Sequence, residues 1–160
     1  MTTRTQRPAD TPSAIARSAE TPDPVGWKLR TLAGLLDVPH HYVSDRCRAR
    51  SCAHLALGPR CHVVVDGDHG ALVANRPETD FHQDGPDGRD TIERVLAGRG
   101  RIEFYEVAAL LGVTERTVYN WAARGDMPFK TDRVGRYATR GSIRKWLLSK
   151  RVPARWEVQR

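Results

Sequence analysis

A chain of 160 residues, 39% hydrophobic and 28% charged, can hold one ordinary domain or two small ones with modest cores. Its formal net charge of +7 points to a polyanionic partner. No apolar run approaches the roughly 20 residues a bilayer crossing needs, which excludes a membrane-spanning reading. The charge is uneven: residues 99–160 carry 14 Lys/Arg against 6 Asp/Glu, net +8, whereas residues 1–98 carry 12 against 13, net −1. A basic surface that merely solubilises predicts no such asymmetry. Three cysteines, an odd number, behind an N-terminus without an apolar signal core, point to reduced thiols in a cytoplasm.

Residues 1–25, rich in Thr, Pro, Ser, Ala and Arg without a sustained period, read as a disordered arm. Residues 26–75 read as a divergent winged helix-turn-helix, with "LGPRCHVVV" resembling a wing strand and "DGDHGALVAN" in the place of a closing helix. Residues 76–90, "RPETDFHQDGPDGRD", hold five acidic residues, two prolines and two glycines and read as a flexible acidic linker. Asp90 then caps a short helix over residues 91–98, closed by Gly98.

Residues 99–151 carry the strongest pattern. In "EVAALLGVTERTVYNWAARGDMP", Val107, Leu110 and Leu111 have i, i+3, i+4 spacing and share one face of a helix starting near Tyr105. Gly112 stops that helix. Thr114 is the N-cap of a second, with Glu115 in its first turn. Val118, Trp121 and Ala122 form the inward face of this second helix, and Arg116, Thr117, Asn120 and Arg124 lie outward or on its flank. Two short strands anchored by Phe129 and Tyr137 follow, with Lys130, Arg133 and Arg136 at or near their tip. Ser142 caps a closing helix that turns Ile143, Trp146 and Leu147 inward, and residues 152–160 read as a tail. Helix, turn, helix, basic hairpin and closing helix make a small winged helix-turn-helix unit.

The pattern recurs. "LAGLLDVPHHYVSDRCRA" aligns with "VAALLGVTERTVYNWAAR" at a constant offset of 75, with Ala33, Leu35, Leu36, Val38 and Val43 identical at packing positions. The predicted fold is therefore mainly α with small β wings, two tandem winged helix-turn-helix units joined by a flexible linker. The copies differ on the surface: Pro39, His40, His41, Tyr42 and Asp45 replace Thr114, Glu115, Arg116, Thr117 and Asn120. Asp37 also stands in place of the turn glycine, and Arg46 in place of Trp121.

The stretch "YEVAALLGVTERTVYNWAARGDMPFKTDRVGRYATRGSIRKWL" resembles the excisionase-like, or MerR-like, winged helix-turn-helix domains of bacteria and their phages. The resemblance implies that the second helix enters the major groove and the wing meets phosphates or the minor groove. By position, Arg116, Thr117, Tyr119 and Asn120 would meet base edges, where Arg suits guanine and Asn suits adenine. Thr114, Arg124, Lys130, Arg133 and Arg136 would hold the backbone, giving affinity and salt dependence. In the first copy Arg46, Arg48, Arg50 and Arg60 are the candidate backbone contacts. The partner expected is double-stranded DNA, with a recombinase or integrase, or a second copy of the chain, as candidate protein partners. The resemblance implies an excisionase, an accessory factor directing a recombinase of a phage or integrative element. The alternatives are a transcriptional repressor and a module that recruits a recombinase or transcription factor.

Other chemistry is weaker. Cys47, Cys52, Cys61 and His62, near His54, form a candidate zinc set. The Cys47-x4-Cys52 spacing sits at the edge of structural-zinc patterns, however, and small buried cysteines suit a helix and wing strands. The expectation is no metal, no cofactor and no small-molecule substrate. With no phosphate-binding glycine loop, nucleophile elbow or carboxylate pair in a cleft, the expectation is also no enzyme.

Overall fold

The computed structural model describes residues 24–69, 72 and 87–158. The predicted arm up to Asp23, linker residues 76–86, and residues 70, 71 and 73–75 of the predicted closing element of the first copy lie outside the described residues.

A first series runs β1 (Gly26–Lys28), α1 (Leu29–Leu35), α2 (His40–Arg48), β2 (His54–Gly58) and β3 (Cys61–Val65). After α3 (Gly88–Val95) a second series runs β4 (Arg101–Glu103), α4 (Phe104–Leu111), α5 (Glu115–Arg124), β5 (Lys130–Thr131), β6 (Arg136–Thr139) and α6 (Arg140–Lys150). Strand β7 (Arg151–Val152) and α7 (Arg155–Val158) close the described chain. Among the described residues the fold is mainly helical with two small antiparallel sheets, ordered β1-β3-β2-β7 and β4-β6-β5. The first residues of β1, α1, α2 and β3 each lie 75 positions before those of β4, α4, α5 and β6.

Local chemistry sets the helix ends. Glu103 and Glu106 form a capping box that starts α4, and Gly112 ends it at φ 62°. Thr114 Oγ1 accepts from Thr117 N at 3.3 Å to start α5, and Gly125 ends it at φ 78°. The corresponding positions of the first series, Asp37 and Arg50, hold the same left-handed backbone at φ 53° and 58° without glycine. Replacing the turn glycine by Asp37 thus leaves the turn in place, at the roughly 1–2 kcal/mol that a Cβ costs in this conformation. Thr139 rather than Ser142 caps α6; Ser142 is the third helical residue of the same capping box.

The β2–β3 hairpin is not a free wing. Strand β3 lies inside its sheet between β1 and β2, and its side chains alternate between two cores. Val64 joins Leu32, Ala33, Val43, Cys47, Cys52 and Leu72 on the face covered by α1 and α2. Val63 and Val65 join the other core with Val107, Leu110, Val118, Trp121, Ile143 and Leu147 of the second series. A strand covered on both faces needs consecutive apolar residues, which is why "VVV" does not alternate. The two halves therefore pack on one sheet instead of standing apart, and Val25 N donates to the carbonyl of Leu110 at 2.8 Å across the junction.

Two predicted boundaries change. The short helix starts at Gly88, not at 91, because Asp87 is its N-cap and Asp90 completes the capping box from the third helical position. The predicted 152–160 tail is tied down through residue 158: β7 pairs with β2, His54 opposite Val152, and α7 follows. Behind this pairing is a buried ion cluster. Arg151 donates to Asp68 Oδ1 at 2.8 Å and Oδ2 at 3.3 Å, and to both oxygens of Glu157 at 2.7 and 3.0 Å. Gly88 N also donates to Asp68 Oδ1 at 3.0 Å. Burial pushes the Asp68 carboxyl up, while the two carboxylates hold the Arg151 guanidinium firmly charged.

Candidate nucleic-acid interface

Helix α5 buries Val118, Trp121 and Ala122 and leaves Arg116, Asn120 and Arg124 exposed. At 100° per residue, Arg116 and Asn120 fall opposite Val118 and form the crest of the helix. Trp121 is braced from behind by Trp146 of α6, ring centroids 5.6 Å apart. A rigid inner face thus presents a guanidinium and an amide outward, the two side chains with the most specific hydrogen-bonding match to guanine and adenine edges.

The other sequence-predicted residues divide. Thr114 and Thr117 engage each other, their hydroxyl oxygens 2.9 Å apart, so both fix the start of α5. Tyr119 is 41% exposed, with its ring edge-on to Phe104 at 4.9 Å. Phe104 in turn meets Phe129 at 6.3 Å, and the Arg136 guanidinium lies 5.4 Å over the Phe129 ring. This aromatic chain, which sequence reasoning missed beyond Phe129, couples α5 to the base of the hairpin.

The β5–β6 hairpin carries Lys130, Arg133 and Arg136, all exposed. Its turn is built by Asp132, whose Oδ1 accepts from Val134 N at 2.9 Å and Gly135 N at 3.1 Å. Those backbone donors, with Arg101 beside them, hold the Asp132 carboxyl below its ordinary range. Arg101 also pairs with Glu103 and lies 4.1 Å over the Tyr137 ring, so it braces the wing. Arg140 and Arg144 donate to the carbonyls of Val95 and Leu96, at 3.2 and 3.4 Å, where cations complement the C-terminal end of α3. With Arg151 buried in its cluster, four of the cations behind the +8 of residues 99–160 serve the fold.

In the first half Arg46 is half-buried over the Tyr42 ring at 5.2 Å. Arg50 donates to the Pro153 carbonyl at 3.3 Å, tying α2 to the C-terminal segment. Arg48, 3.5 Å from Asp45, and Arg60 at the β2–β3 tip stay exposed. The candidate zinc residues do not converge: Cys47 and Cys52 are buried in the α1–α2 core, whereas Cys61 packs against the other core. Among the described residues no group of three or more His, Cys, Asp or Glu side chains is placed to hold a metal.

Residues 106–160 match the family model described as a helix-turn-helix domain. The match runs from the first turn of α4 through α5, the wing and α6, the elements that build the exposed crest and basic hairpin. It supports a helix-turn-helix DNA-binding module here, with DNA as its partner. No curated protein and no solved structure matches the chain. Among the described residues no helix is long and apolar enough to cross a membrane.

Proposed function

We propose that this protein is a sequence-specific binder of double-stranded DNA that organises its site without catalysis, acting as an excisionase for the recombinase of a phage or integrative element. The observation that carries the reading is α5, with Arg116 and Asn120 on its crest and the Lys130, Arg133 and Arg136 wing beside it. In this reading α5 enters the major groove and reads bases, while the wing holds phosphates. The repeated strand–helix–helix–strand–strand order, four of its five elements starting at an offset of 75, with paired left-handed turns at Asp37/Gly112 and Arg50/Gly125, supports two tandem helix-turn-helix units. Two such units on one core suit a factor that shapes DNA.

The test is to recover fragments of the source genome with the purified protein and sequence them. Repeated sites beside a recombinase attachment region are the expected result. Sites over promoters would replace the excisionase reading with that of a repressor. Recovery without any sequence preference would overturn the base-reading role of α5.

A further inference from the structure

Between the two helix pairs runs an open cleft of about 690 Å³. One wall is the flank of α5 that carries Thr117 and Arg124, with the buried Trp121 beneath them. The other is α2, whose His40, Ser44 and Arg48 at i, i+4 and i+8 line a single helical face. Lys28, Arg30 and Arg60 add three more cations from the first half, and Asp126 is the one acidic residue of the lining. The charge here is selective. Of six Lys/Arg between residues 24 and 69, four line the cleft, and none of the four aspartates of that segment does. A half that is close to neutral overall thus gathers most of its described positive charge on the side turned toward α5. Arg48 is held by Asp45 only through an exposed pair at 3.5 Å, which a phosphate can readily displace.

We propose that this cleft seats one sugar–phosphate strand of the same duplex whose bases α5 reads. The proposal rests on the DNA-binding reading above and extends it to cations of the first half, which the helix-turn-helix match does not include. The reading crest and the cleft wall are adjacent faces of one helix, so backbone next to the contacted bases passes over Thr117 and Arg124 and into the cleft. There Arg30, Arg48 and Arg60 neutralise it from the opposite side. The first unit is thereby an electrostatic clamp rather than a second reader, consistent with Asp45 standing where Asn120 stands in α5.

The experiment uses the full-length protein, a duplex recovered by selection from a random library, and a scrambled duplex of equal length. Arg30, Arg48 and Arg60 are replaced together by alanine, and binding is followed by anisotropy across a salt series. Loss of three phosphate contacts should flatten the slope of log K against log salt by about 2–3. It should weaken both duplexes alike and leave their affinity ratio unchanged. In parallel, N-ethylmaleimide labelling of Cys61, which lines the cleft in the wild-type protein, should slow when duplex is bound. A slope unchanged in the triple variant while Arg133→Ala flattens it would overturn the clamp and leave the α5 and wing reading standing. Cys61 labelled equally fast with and without saturating duplex would do the same, leaving the cleft to another occupant such as an acidic protein face. Wild-type protein that binds neither duplex overturns the DNA reading itself, and the clamp with it.

Discussion

Arg116 and Asn120 project from a helix whose inner face is fixed by Val118 and Trp121, so on the base-reading role proposed above trimming them removes contacts to DNA and little else. Arg116→Ala and Asn120→Ala should each cost about 1–3 kcal/mol of discrimination between the selected site and its single-base variants. Thermal stability should stay within about 0.5 kcal/mol of wild type, as for exposed substitutions generally. Competition binding against point-mutated duplexes checks the first, and thermal melting the second. His54 makes a different prediction. Burial lowers its pKa from 6.5, helped by the nearby His62 ring at 5.4 Å, although its Nδ1 lies 3.2 Å from the Cys52 carbonyl, a contact that favours the charged form. The unfolded chain binds the proton more readily, so the contribution of His54 is complete above pH 6.5 and is lost as pH falls below it. Urea midpoints should decline from pH 7.5 to pH 5.5, and His54→Gln should flatten that decline. An equal decline in the variant would show that other groups drive it.

The wing shows how one element divides its charge between shape and contact. Arg133 lies on the tip, and its replacement by alanine should flatten the salt slope by about 0.9 while weakening all sequences equally. Asp132→Ala removes the acceptor for Val134 N and Gly135 N, so it should disorder the tip and weaken binding although it removes a negative charge. A pure charge effect predicts the opposite sign, and amide NMR shifts of Val134 and Gly135 separate the two. The elements themselves were largely legible in the sequence because their signals are local. Thr114, Gly112, Gly125 and the spacing of Val107, Leu110 and Leu111 act within a turn or two. The misplaced caps at Ser142 and Asp90 err by three residues because a capping box presents two polar residues, either of which can be taken for the cap. The first hairpin was misread for a different reason. "VVV" is too continuous for a wing strand with one face in solvent, and that departure from alternation was its clue.

At the scale of the molecule, the central sheet makes the halves interdependent. Val25, Leu55, Leu57, Val63 and Val65 lie in one core with the interior of the helix-turn-helix. Unfolding should therefore follow one transition, coincident by circular dichroism and tryptophan fluorescence. Two separated transitions would mean that the halves fold alone. Asp68→Ala should lower stability by about 3–5 kcal/mol, because Arg151 would remain buried with Glu157 and one partner missing. Urea denaturation measures this loss. Gly88→Ala should act on the same cluster, since an added Cβ would lie 2.0 Å from Asp68 Oδ2. None of this was legible beforehand. Asp68 and Arg151 are 83 residues apart, and neither their spacing nor their neighbours signal a pair. Charge asymmetry pointed rightly to the C-terminal segment, but it could not separate Arg101, Arg140, Arg144 and Arg151, which serve the fold, from cations that face outward.

Strand β7 also sets an order of events during synthesis. His54 of β2 pairs with Val152, and the residues between them must be translated before that edge is covered. At about 5–20 residues per second the nascent sheet waits on the order of 5–20 s with β2 open to pairing with other chains. The arginine that satisfies buried Asp68 arrives in the same strand. The sheet edge and the buried carboxylate are thus completed together, and only after the whole of α5 and the β5–β6 hairpin have been made.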